Sequence, residues 1–125
     1  MDATGVGDGV CEIIESEMPS TDVYRVYLTG GISASIDYDN RQIRLPKNQL
    51  VSCLLGCFDS DRIFLSKRLR ELDAMLEELQ EFEIKIRDDG RESFNAKIGS
   101  HDDLICALGI AAWCGEQAGE PIKMW

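Results

Sequence analysis

The chain is poor in cations and nearly devoid of histidine: its 125 residues hold 13 Lys and Arg against 23 Asp and Glu, a formal charge of −10, and one His. Affinity for DNA comes largely from cations that neutralise phosphates and release counterions, so this balance argues against a DNA clamp that works alone. With His101 the sole histidine, Cys53 and Cys57 have no second Cys or His pair at zinc spacing to complete a tetrahedral site. No apolar run approaches the ~18 residues of a membrane span, so no membrane partner is expected. The start lacks a basic segment followed by an apolar one, which gives a cytoplasmic expectation. Five cysteines, an odd number spread over helix-like segments, read as reduced core thiols rather than a disulfide framework.

What is present suits one globular domain over residues 1–125, with a core over 1–116 and a loose tail after it. Hydrophobic residues make up 44% of the chain, and a chain this long buries roughly two thirds of its surface without staples. Gly5, Gly7 and Gly9 follow Asp2 as a tight turn would, and Val6, Val10, Ile13, Ile14 and Met18 then recur at helical spacing until Pro19. The run from Val23 to Leu28 predicts a strand. Ile32 to Ile36 and Gln42 to Leu45 flank the polar 37–41 stretch, which reads as a hairpin or an extended insertion. Pro46 opens a helix with Leu50, Val51, Leu54, Leu55 and Phe58 as its stripe.

Arg62 to Ser66 predicts a short strand. Leu69, Leu72, Met75, Leu76, Leu79 and Phe82 then mark an amphipathic helix whose stripe reads as core, with Glu77, Glu78, Glu81 and Glu83 as a solvated face. A β-hairpin turns at Asp88 to Gly90. The run Leu104 to Trp113 is apolar all the way round, which predicts a helix buried on most sides and packed closely through Ala107, Gly109, Ala111 and Ala112.

Two acidic motifs carry the functional signal. Asp2 before Thr-Gly-Val-Gly admits simple turn chemistry, a phosphate cradle or a metal ligand at a strand's end, and the absence of a following Gly-Lys-Ser/Thr weakens the cradle. Ser100, His101, Asp102 and Asp103 precede the apolar helix. Ser100 or Asp102 suits an N-cap, and acids are favoured there by the helix dipole. Carboxylates at the mouth of a rigid helix also suit Mg2+ or Mn2+, hard cations that take oxygen ligands. His101 would then donate from behind the ligands or meet a scissile phosphate.

In order and spacing these pieces resemble the RNase H-like nuclease domain that closes phage terminase large subunits. The Asp2 to Gly7 turn, the Val23 to Leu28 strand, the Pro46-Lys47 helix start, Leu76 to Phe82, and His101 to Leu104 before a small-residue helix each match a family motif, over about residues 2–116. The resemblance implies an α/β, partial RNase H-like fold: a mixed β-sheet flanked by helices, with a buried C-terminal helix. It implies a metal-dependent endonuclease that cuts concatemeric viral DNA during packaging, with Asp2, Asp102 and Asp103 as metal-ligating acids around Mg2+ or Mn2+ and His101 beside them.

Two-cation hydrolysis places metals about 4 Å apart and demands three or four convergent carboxylates. In the family the first such Asp lies on a strand upstream of the Asp-x-Thr-Gly turn. The expectation is therefore half a site, little activity alone, double-stranded DNA as partner only within a larger protein, and an exposed sheet edge that favours a homodimer. The alternatives are a noncatalytic interaction module or prophage remnant in which the acids merely cap helices, and another RNase H-like nuclease such as a Holliday-junction resolvase relative.

Overall fold

A computed structural model describes residues 1–5, 7–86, 92–96 and 102–118. The fold is mixed α/β, in the order α1 (Gly7–Glu17), β1 (Arg25–Thr29), β2 (Ser35–Asp37), β3 (Gln42–Pro46), α2 (Lys47–Asp59), α3 (Leu72–Glu81), β4 (Phe82–Ile86), β5 (Glu92–Ala96) and α4 (Asp103–Ala118). It divides into two compact units, Met1–Gln49 and Leu50–Trp125.

The first unit is built on a three-stranded sheet of order β1-β3-β2, with β1 parallel and β2 antiparallel to β3. Val26 pairs with Ile43 and Leu28 with Leu45, so the β-branched and aliphatic residues of both strands share one face, as a period of two requires. Val26, Ile43 and Leu45 are buried. Of the two readings of 37–41 the hairpin forms, and Asp37 closes it by accepting from both the backbone and the side-chain nitrogen of Asn40. Those donors favour the ionised carboxyl and hold Asp37 below its ordinary pKa.

Residues 1–3 extend this sheet. Asp2 forms a parallel bridge with Val26. The Ala3 amide donates to Val26 O at 2.8 Å, the Val26 amide to Met1 O at 2.8 Å, and the amino terminus to Tyr24 O at 2.9 Å. A short strand, a turn, α1 and the parallel β1 thus make one βαβ unit.

In the second unit α2 buries Leu50, Val51, Leu54 and Cys57, a spacing of one, four and seven that keeps one helical face inward. Leu55, expected in the stripe, is exposed. The helix ends as expected near Phe58, in a left-handed turn: Asp61 has φ 53, its amide donates to Phe58 O, and the Arg62 amide donates to Cys57 O. This pattern satisfies two carbonyls left over at the helix end.

Arg62 to Ser66 does not form the expected strand. Strand propensity is realised only against a pairing neighbour, and none is found among the described residues. The segment is irregular, with Ile63 and Leu65 half-buried and Phe64 88% exposed. Helix α3 starts at Leu72, so Leu69 lies outside it, and none of its described side chains is fully buried. The stripe is a boundary rather than a core.

Helix α4 buries Ile105, Cys106, Gly109, Ile110 and Trp113. Only Ala107 and Ala111 of the run are exposed, so the helix is covered on most sides, as expected, with one narrow open face. Gly109 makes the close approach expected of it: a Cβ there would stand 2.7 Å from Leu50 Cγ. The helix continues past Gly115 to Ala118, where a loose tail was expected. Strands β4 and β5 pair antiparallel, as the hairpin pattern requires. Its turn at Asp88 to Gly90, the candidate cap Ser100, and residues 119–125 lie outside the described residues.

Candidate functional site

Asp2 sits where the short first strand runs into the turn before α1. Its Oδ1 accepts the Thr4 amide at 2.9 Å, the hydrogen bond of an Asx-turn. The Thr4 hydroxyl oxygen in turn accepts the Leu28 amide at 2.9 Å, tying the turn to β1. Gly5 has φ +68, a conformation that costs other residues, and a Cβ on Gly7 would stand 2.5 Å from the Asp2 carbonyl oxygen. Asp2, Thr4, Gly5 and Gly7 of the Asp-x-Thr-Gly-x-Gly motif therefore each have a structural task. Of the three readings open for Asp2, turn chemistry is present; it orients the carboxylate without exhausting its roughly four lone-pair sites.

A charged network that sequence reading missed lies beside this turn. Asp8, in the first turn of α1, accepts the Tyr27 hydroxyl at 2.7 Å and lies 3.8 Å from Arg25 Nε. Arg25 Nη2 reaches Glu15 Oε2 at 2.8 Å, while Nε is buried without a hydrogen-bond partner among the described residues. The bond to Asp8 stabilises the neutral phenol and pushes Tyr27 up from its ordinary pKa. The signal was available: Arg25 and Tyr27 are two apart on one strand face, and Asp8 and Glu15 are seven apart on one helix face. An acid in the first turn of α1 also opposes the phosphate cradle, because it already occupies the positive end of the helix dipole.

At the other motif, Asp102 O accepts the Cys106 amide at 2.9 Å, which makes Asp102 the N-cap of α4 by its backbone. The amides two and three residues on, Leu104 and Ile105, donate to Glu78 Oε2 at 2.9 and 3.0 Å. Glu78, expected on a solvated face, instead caps α4 from α3. Asp102 is half-buried and Asp103 exposed; both make further interactions. His101 lies outside the described residues.

Asp2 belongs to the first compact unit, and Asp102 and Asp103 to the second. Among the described residues no group of three or more His, Cys, Asp or Glu is arranged to hold a metal ion. No cysteine is in a disulfide, and among the described residues no helix is long and apolar enough to cross a membrane. Compared with known proteins, the chain matches no family model, no curated protein and no solved structure.

Proposed function

We propose that this chain is a partial RNase H-like domain similar to the nuclease of phage terminase large subunits, with Asp2 and Asp103 as residual ligands for Mg2+ or Mn2+ and an acid set too small for hydrolysis alone. On this reading Asp102 and His101 stand beside the ligands, the partner is double-stranded DNA presented by a larger assembly in the host cytoplasm, and the sheet edge at residues 1–3 pairs with a second copy. The observation that supports it is the carboxylate of Asp2 at the exit of a strand parallel to β1, followed by a glycine turn and α1. In open α/β sheets the carboxyl ends of parallel strands are where ligands bind.

Thermal unfolding with increasing Mn2+ tests this. The parent should be stabilised, and Asp2→Asn and Asp103→Asn should each reduce the shift. Absence of any shift in the parent refutes the metal role. Plasmid DNA with Mn2+ should be cut slowly or not at all by the chain alone.

One observation favours a second reading, a noncatalytic interaction module. The Asp2 carboxylate already does structural work on the Thr4 amide, and the first turn of α4 is capped by Glu78 from α3. A parent unaffected by Mn2+ but destabilised by Asp2→Asn would establish that reading over the first.

A further inference from the structure

Cys53 and Cys57 stand four residues apart on α2, on adjacent turns of one helix face. No other two cysteines in the chain share that spacing: Cys106 and Cys114 are eight residues and about 12 Å apart along α4. A hydrogen bond links the two thiols, and Cys57 Sγ also donates to Glu116 Oε1 at 3.9 Å. Arg62 holds that same carboxylate oxygen, so two thiols, an acid and its cation form one connected cluster between the end of α2 and α4. Cys57 is buried, while Cys53 is half-buried and leaves the pair open to water on one side.

A disulfide fits this spacing poorly, because it needs Cβ atoms about 3.5–4.5 Å apart, and neighbours four apart on a helix hold theirs about 5–6 Å apart. One soft atom set between the sulfurs removes the misfit. Burial first of all pushes the Cys53 thiol up to about 11, which disfavours charged adducts, such as a bis-thiolate of monovalent copper, relative to neutral ones. Two-coordinate mercury would give a neutral adduct, but its linear geometry drives the sulfurs apart. Pyramidal trivalent arsenic keeps them close. From this placement we infer that Cys53 and Cys57 form a dithiol site for trivalent arsenic, taken up as arsenous acid, with Glu116 as the acceptor that orients the adduct. Two S–H and two As–O bonds break, two As–S bonds form and two waters leave, so two thiols and As(OH)3 give neutral (RS)2As–OH with arsenic still trivalent. Glu116 gives up the Cys57 S–H and accepts the As–OH in its place, while Arg62 holds the carboxylate. Zinc is unsuited to the pair, since it takes four ligands and no group of three is arranged to hold a metal among the described residues. The site uses none of Asp2, Asp102 and Asp103, so it goes beyond the nuclease reading and does not depend on it.

Thermal unfolding of the whole chain with increasing sodium arsenite tests it. The parent should melt several degrees higher at saturation, because a ligand held by the folded state opposes unfolding. Cys53→Ser and Cys57→Ala should each lose the shift, while Cys106→Ser and Cys114→Ser should keep it. Glu116→Ala should weaken arsenite roughly two- to tenfold, the worth of one hydrogen bond. A second readout needs no variant: arsenite should protect Cys53, and not Cys114, from iodoacetamide in the native parent. No shift in the parent, a lower melting point, or a shift that survives Cys53→Ser overturns the inference. So does ready closure of a 53–57 disulfide by diamide without loss of stability, which would remove the spacing argument.

Discussion

Glu78 on α3 receives the amide of Leu104 in the first turn of α4 at 2.9 Å, and the same oxygen takes the amide of Ile105. The N-terminus of a helix leaves four amides without intrahelical partners, and an ionised acceptor there also meets the positive end of the dipole. Glu78→Ala should therefore cost about 1–2 kcal/mol in urea unfolding. Glu78→Gln, which keeps an acceptor oxygen, should lose clearly less. Amide exchange should quicken at Leu104 and Ile105 in the alanine variant, and unchanged exchange there would refute the cap.

Gly7→Ala should be destabilising, because its new Cβ would press on the carbonyl of Asp2; overpacking of this kind costs about 1–3 kcal/mol. Gly9→Ala is the internal comparison. A Cβ there meets nothing within 4 Å among the described residues, and replacing glycine inside a helix gains roughly 0.5–1 kcal/mol. Opposite signs for the two substitutions in thermal unfolding would establish that strand end and helix start touch at residue 7.

Asp61→Gly should stabilise the chain by about 0.5–1 kcal/mol. Asp61 holds φ 53 where α2 ends, a left-handed conformation that glycine adopts without a Cβ penalty. A lower urea midpoint for the variant would contradict this account.

The thiol of Cys53 is pushed up from 9.0 to about 11, first by burial, then by the charge of the neighbouring Cys57 thiol and a hydrogen bond with it. Its folded pKa is raised, so its contribution to stability is intact below the ordinary thiol range and is lost as pH rises from about 9 to about 11. Cys53→Ser should remove that alkaline loss. Iodoacetamide at pH 8 should also label Cys53 more slowly than an unfolded thiol, since the thiolate is the nucleophile; equal rates by peptide mass spectrometry would refute the shift.

Apolar periodicity in the sequence was enough to place α1 and α2, the unbroken apolar run was enough to place α4, and the polar 37–41 stretch marked the break between β2 and β3 without deciding between a hairpin and an extended insertion. These signals are local: apolar spacing in the helices, polar turn residues between strands. The failures share a cause. Arg62 to Ser66 has strand-like residues but no pairing neighbour among the described residues, and pairing is a long-range event. The roles of Glu78 and Asp8 depend on which surface each helix meets, which spacing along one helix does not specify. Asp2 was legible as a turn residue because its partner, Thr4, is two residues away. Its value as a ligand depends on distant groups, which the local pattern leaves open.

The seat of Leu50 against the bare backbone of Gly109 ties the choice of residue at one position to the other. Enlarging 109 by a methyl group leaves no room for the isobutyl side chain, so Gly109→Ala should be harmful with Leu50 and markedly less so with Leu50→Val. Drift at these two sites would then proceed in concert, a smaller side chain on α2 being the condition for a larger one on α4.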